Sequence, residues 1–146
     1  MPDDSGGRTG PLDADVLRRI ARRLETSDRF ATVSYRPESA PNAVVADYDT
    51  GYFPAAIRRA SLRIRWFETD DFPIHYSEQY RNGENWECRW GRHPNAHNTR
   101  AHFHPPPNAA TPGEDTSHAV DWRDVITQML TELDEHVQAL WGEFSG

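Results

Sequence analysis

Hydrophobic and polar residues alternate with a period of two over most of the middle of the chain, and with a helical period at both ends. From Leu12 to Thr26 the apolar residues fall at Leu12, Val16, Leu17, Ile20 and Leu24, the one-sided spacing of an amphipathic helix that Asp13 can cap. Phe30 to Arg36 sets Phe30, Thr32 and Ser34 against Ala31, Val33 and Tyr35, which predicts a strand ended by Pro37. Asn42 to Tyr48, with Ala43, Val44, Val45 and Ala46, predicts a second strand, broken by Asp47-Tyr-Asp-Thr-Gly. Tyr52 to Ser61 reads either as a short helix starting at Pro54 or as the edge of the next strand.

Leu62, Ile64 and Trp66 then alternate with Arg63 and Arg65, and Ile74, Tyr76, Glu78 and Tyr80 alternate with His75, Ser77 and Gln79. Asn82-Gly83 between alternating runs predicts a hairpin with a type I′ turn. On the return strand Trp86, Cys88 and Trp90 point inward, and Glu87 and Arg89 outward. Arg100 to His104 forms a short strand closed by Pro105-Pro-Pro107, because proline cannot donate to a sheet ladder. A turn-rich linker, Asn108 to Ser117, precedes a helix from Asp121 to Trp141 carrying Val125, Met129, Leu133, Val137, Leu140 and Trp141 on one side, with Ser117 and Asp121 as candidate caps. The expected fold is α+β: a five- to six-stranded, mostly antiparallel meandering sheet with an N-terminal and a C-terminal helix packed on one face. Residues 1–11, polar and rich in Gly, Pro and Asp, are expected to be a disordered tail, and 12–146 a single domain.

Composition changes how charge is to be read. All sixteen basic residues are arginines, against twenty-three acidic residues and a net charge of −7. Such a lysine-free, acidic surface resembles adaptation to a high-salt cytoplasm, so the total says little about nucleic-acid partners and the clustering of arginines says more. On the first helix Arg18, Arg19, Arg22 and Arg23 read as a solvated face with local ion pairs, phosphate contact being the alternative. The single cysteine, Cys88, rules out an intramolecular disulfide and reads as a buried small hydrophobe. No run approaches the roughly 20 apolar residues of a membrane span, and the N-terminus has no apolar signal core, so a cytoplasmic protein is expected. Gly-rich phosphate loops, dinucleotide fingerprints and Gly-x-Ser-x-Gly elbows are absent.

Four of the seven histidines and three arginines lie in the nineteen residues from Arg89 to Pro107. Alternation in Arg100-Ala-His-Phe-His104 puts Arg100, His102 and His104 on one face, and His93 and His97 precede them in a turn-rich segment. His75, His118 and His136, outside this cluster, read as ordinary surface residues.

Leu-Arg-Ile-Arg-Trp (62–66), Trp-Glu-Cys-Arg-Trp (86–90), Arg-His-Pro (92–94) with His97, His-Phe-His-Pro (102–105) and a closing helix resemble the TumE family of small toxin components over roughly residues 60–141. The resemblance implies a toxin-antitoxin pair, a cognate antitoxin protein and toxicity directed at RNA. It carries over Arg89, Trp90, His93, His97, His102 and His104, and leaves the first helix and first strands unmatched.

On the residues themselves, the leading expectation is metal-free RNA cleavage, with no cofactor. His102 and His104 would serve as the acid-base pair, with His93 or His97 as substitute. Arg89, Arg92 or Arg100 would contact phosphate, with Arg100 as the clamp, and Tyr76 or Tyr80, with Trp66 and Trp90, would stack on bases. A zinc site is the second expectation, since His102 and His104 at i and i+2 stand about 6.5–7 Å apart on a strand and His93 or His97 would supply the third ligand. Asp and Glu are absent from residues 88–113, which disfavours a two-metal magnesium nuclease. A non-catalytic nucleic-acid or protein binding module is the third.

Overall fold

The structure is a computed structural model that describes residues 10–36, 42–92, 101–109, 114–115 and 119–144. Helix α1 (Ala14–Glu25) starts where Asp13 accepts the Val16 N–H at 3.1 Å, and it buries Leu17, Ile20, Ala21 and Leu24. Seven strands follow: β1 (Phe30–Tyr35), β2 (Val44–Tyr48), β3 (Ile57–Ile64), β4 (Phe72–Tyr80), β5 (Asn85–Arg92), β6 (Ala101–His104) and the two-residue β7 (Glu114–Asp115). They pair in chain order, each antiparallel to the last, as an open meander. Helix α2 (Trp122–Phe144) begins at Asp121, whose carbonyl accepts from Val125 N–H at 3.1 Å and whose carboxylate accepts from Arg123 N–H at 2.8 Å. The expected α+β architecture is therefore observed. Ser117 and residues 1–9 lie outside the described residues.

Both helices cover the same sheet face. Leu17, Ile20 and Leu24 of α1 and Ile126, Met129, Leu133, Val137 and Leu140 of α2 join one core with Ala46, Leu62, Ile64, Ile74, Tyr76, Cys88 and Trp90. Period-two alternation then sends Arg63, His75, Ser77, Glu87, Arg89, His102 and His104 to the opposite face. Among the described residues no helix is long and apolar enough to cross a membrane.

One open reading is decided and two are corrected. Residues 57–61 extend β3, and the helical content nearby is one 3-10 turn, Thr50–Tyr52, capped by Asp49. The β4–β5 hairpin is not type I′: Gly83 has φ +92° while Asn82 is not in the positive-φ region, Gly83 N–H donates to Tyr80 O at 3.0 Å and Tyr80 N–H to Glu84 O at 2.9 Å. That is the three-residue loop in which a glycine takes the left-handed position after an ordinary turn. In β1 a register shift between Phe30 and Thr32 lets Phe30 pack on Tyr48 (ring centroids 4.5 Å) although its strict parity would place it with Thr32.

Candidate functional site

On the helix-free face, register alone aligns a row of chemistry. Arg63 pairs with His75, His75 with Arg89, and Arg89 with His104. With strands about 4.8 Å apart, the His75 and His104 Cα atoms stand roughly 10 Å apart with Arg89 between them. His75 Nε2 lies 2.7 Å from Glu87 Oε1, its diagonal neighbour on β5, and both side chains are about a third exposed (37% and 36%). Arg89 and His104 also border a cavity of about 380 Å³ that reaches Pro73, Gly91 and Asp71. Gly91 keeps this rim low: a Cβ there would stand 3.3 Å from the Phe72 carbonyl oxygen. At the cavity floor the buried Asp71 carboxylate accepts the Thr69 hydroxyl at 2.7 Å.

Of the residues singled out in the sequence, Arg89, His102 and His104 share this face. His102 pairs with Gly91 and is 9% exposed, so His104 is the more open imidazole. His93, His97 and Arg100 lie outside the described residues, and with them the third zinc ligand. His75, read as an ordinary surface residue, was missed by sequence reasoning, as were Arg63 beside it in the row and Glu87. The signal for His75 was the outward parity it shares with Ser77 in β4.

Two expected substrate contacts are corrected. Trp90 faces the helices, is 5% exposed, and donates its indole N–H to Glu132 Oε1 of α2 at 3.1 Å, so its ring is not available to a base. Trp66 and Tyr76 are likewise buried. Arg92 also turns to the helix side. Its guanidinium donates to Asp70 O at 2.6 and 2.9 Å and to Ala119 O at 2.7 Å, and lies over the Phe72 and Trp66 rings (5.0 and 5.9 Å), a clamp between the β3–β4 turn and the approach to α2. Tyr80 lines a cleft of about 750 Å³ beside the β4–β5 hairpin, together with Trp86, Arg81 and Phe144. Burial and the nearby Glu78 charge push its phenol up to about 12. Cys88 is buried, and burial pushes its thiol up to about 12, which keeps it protonated and unsuited to nucleophilic attack.

The helix-covered face holds a second polar cluster. Glu78 is fully buried on the inward parity of β4 and accepts from Tyr76 OH at 2.5 Å and Tyr80 OH at 3.3 Å, with His136 Nε2 of α2 at 2.6 Å. His136 stacks on Trp86 (centroids 4.1 Å, 10° between planes). The reading of His136 as a surface histidine is thus corrected. Its position three residues after Leu133 and one before Val137, on the apolar stripe of α2, was the available signal, as was a carboxylate at an inward strand position. A third network joins Arg29, Tyr52 and Asp134: the Arg29 guanidinium spans both Asp134 oxygens at 2.7 and 2.5 Å. Burial alone would raise the Asp134 carboxyl, but the Arg29 and Tyr52 hydrogen bonds outweigh it and hold the group below its ordinary value.

No group of three or more His, Cys, Asp or Glu side chains among the described residues is placed to hold a metal ion. No curated protein and no solved structure matches the chain. The family model described as "Toxin TumE" matches residues 17–137, which takes in most of α1 and the first strands that the sequence resemblance had left out, and the chain belongs to that toxin family.

Proposed function

We propose that this protein is the toxin of a toxin-antitoxin pair, that it acts as a metal-independent ribonuclease on the helix-free sheet face, and that a cognate antitoxin protein neutralises it. The observation that carries the reading is the cross-strand row His75–Arg89–His104 with Glu87 on His75. Cleavage of RNA by its own 2′-hydroxyl needs a proton taken from that hydroxyl, a proton given to the leaving 5′-oxygen, and support for the charge on the phosphorane between. His75 takes the first proton, with the Glu87 carboxylate orienting the ring and stabilising the imidazolium that forms. The 2′-oxygen then bonds to phosphorus as the bond from phosphorus to the 5′-oxygen breaks. His104 donates its proton to that oxygen, leaving a 2′,3′-cyclic phosphate and a 5′-hydroxyl. Arg89, between the two imidazoles, offers its planar fork to the non-bridging oxygens, and Arg63 next in the row meets a neighbouring phosphate. His102, beside His104, and the His93, His97 and Arg100 segment complete the proposed site.

The test is cleavage of total RNA by purified protein in molar potassium chloride, with and without EDTA, beside His75→Ala, His104→Ala and a His102→Ala/His104→Ala double variant. The expected result is cleavage that survives EDTA, leaves cyclic phosphate ends, and falls by about 10²–10⁴-fold in the His75 and His104 variants. Cleavage lost in EDTA and restored by zinc would move the same histidines into a metal shell. Cleavage unchanged in the variants would sink the imidazole assignment. Toxicity without cleavage of any RNA would leave a non-catalytic binding component.

A further inference from the structure

The rings expected to stack on bases are not on the helix-free face: Trp66, Tyr76 and Trp90 are buried in the core, and Tyr80 packs towards Phe144 of α2. A base beside the scissile phosphate has to be met elsewhere. The row next to His75–Arg89–His104 supplies the space. Arg65 N–H donates to Pro73 O at 3.1 Å, Pro73 pairs with Gly91, and Gly91 pairs with His102. Two adjacent strands thus present, side by side, one flat pyrrolidine ring and no side chain at all.

The notch they leave is the cavity of about 380 Å³, a size ordinary for small-ligand sites. Among the described residues, a Cβ built on Gly91 would meet nothing within 4 Å but the Phe72 carbonyl oxygen, at 3.3 Å, so the space above the glycine is open. Phe67 walls the cavity on one side, with the Arg65 guanidinium 5.2 Å from its ring centroid, and Arg89 and His104 wall it on another. The other ionised groups of the lining are engaged within the protein. Asp71 accepts the Thr69 hydroxyl, and Arg92 donates to Asp70 O and Ala119 O. A floor of proline and bare main chain, an aromatic wall and charges already engaged suit an uncharged planar ring better than a phosphate.

Resting on the ribonuclease reading, we propose that this cavity takes the base of the nucleotide 3′ to the scissile bond, so that the substrate is single-stranded RNA whose leaving nucleotide is unstacked into the notch over Pro73 and Gly91. The lining sets the side. His104, the proton donor to the leaving 5′-oxygen, borders the cavity, whereas His75, which faces the 2′-hydroxyl of the preceding nucleotide, does not. Gly91 lies two residues from Arg89 on β5, about 6.8 Å away, so a ribose can link a phosphate held by Arg89 to a base over Gly91. The polarity of the bound strand follows: its 5′ side lies towards Arg63 on β3 and its 3′ side towards β6. A base held in a duplex cannot enter the notch, so double-stranded RNA is a poor substrate. Gly91 and Phe67 are the residues that determine specificity, the first by keeping the floor bare and the second by walling it.

The probes are oligonucleotides with one ribose in a 2′-deoxy strand, which fixes the cut, lacking the base either of that ribose or of the residue 3′ to it. They are cleaved by the full chain in molar potassium chloride with EDTA, beside total RNA. Loss of the 3′ base should lower kcat/KM by about tenfold or more, and loss of the ribose's own base by less than about threefold. Gly91→Val, which fills the notch, should bring the ratio between the intact and the 3′-abasic strand close to one. Should its Cβ, 3.3 Å from the Phe72 carbonyl oxygen, cost the fold by circular dichroism, Phe67→Ala reads the same ratio with the main chain untouched. A ratio that persists in the folded variants, a larger loss from the ribose's own base, or equal cleavage of a duplex carrying the same ribose would overturn the subsite and leave the ribonuclease reading standing. Uncut intact strands would also overturn the subsite, and uncut total RNA beside them would remove the ribonuclease reading as well.

Discussion

Removing the His136 imidazole should unfold the protein far more readily than removal of an ordinary surface histidine would. Glu78 is fully buried, and among the described residues it is held by His136 Nε2 at 2.6 Å and by the phenols of Tyr76 and Tyr80. Breaking a buried ionic pair by deleting one partner costs about 3–5 kcal/mol. The imidazole's 20% exposure argues for the lower part of that range, while loss of its stack on Trp86 adds about 0.5–1.5 kcal/mol. About 4 kcal/mol is therefore expected for His136→Ala, a large share of a stability of about 5–15 kcal/mol. With a urea slope of about 2 kcal/mol/M, the unfolding midpoint should drop by about 2 M. Urea titration in molar potassium chloride, followed by tryptophan fluorescence and circular dichroism, reads this directly. The decisive variant is Glu78→Gln in the His136→Ala background, because glutamine keeps an acceptor for one phenol, offers its N–H to the oxygen of the other, and carries no charge. If the buried charge is the cause, the double variant should recover about 1 kcal/mol or more over His136→Ala alone. A double variant no more stable than the single one would refute the reasoning and assign the loss to the cavity and the missing stack.

Three further outcomes follow from the structure. Cys88 and Tyr80 are both held up to about 12, whereas exposed groups titrate near 8.5 and 10, so the unfolded chain releases these protons first. Their contribution is fully present below about pH 8.5 and is lost as pH rises towards 12; urea midpoints should fall over that span, and Cys88→Ala should flatten the part between about pH 8.5 and 10, an unchanged slope counting against the assignment. Arg92→Met, which removes the bonds to Asp70 O and Ala119 O and the charge over Phe72 and Trp66, should cost about 2–3 kcal/mol in thermal unfolding. Arg89→Met should stay within about 0.5 kcal/mol while depressing RNA cleavage, and the opposite pattern would exchange the roles of the two arginines.

Much of the fold was legible because the strands are amphipathic in the simplest way. Leu62 and Ile64 against Arg63, or Ile74 and Tyr76 against His75, announce both strand and face. The misreadings occurred where one residue breaks that rule: the bulge after Phe30 moves a parity that alternation carries straight through, and Gly83 alone supplies the positive φ that an Asn-Gly pair would ordinarily share. Composition around Pro54 suited a helix start, but Ile57 and Ala60 are buried along β3, and pairing with β4 decided the matter. Trp90 and Arg92 were misplaced for a different reason. Residue type suggested stacking and phosphate contact, whereas their inward parity, already readable, committed them to Glu132 and to backbone carbonyls.

The candidate site was legible as a face but not as a row, because register between strands is a long-range quantity that periodicity within one strand does not contain. Arg89, His102 and His104 were grouped by closeness in sequence, and His75 was left out although it stands directly across from Arg89. The buried cluster bears on this register. A one-residue slip of β4 against its neighbours would send every β4 side chain to the other face. Glu78 would leave His136 and take Tyr76 with it, and His75 would turn under the helices away from Glu87. The Glu78–His136 network therefore penalises a slip of β4 that would take His75 out of the row, so a polar group buried on one face specifies the side of the sheet that this imidazole occupies.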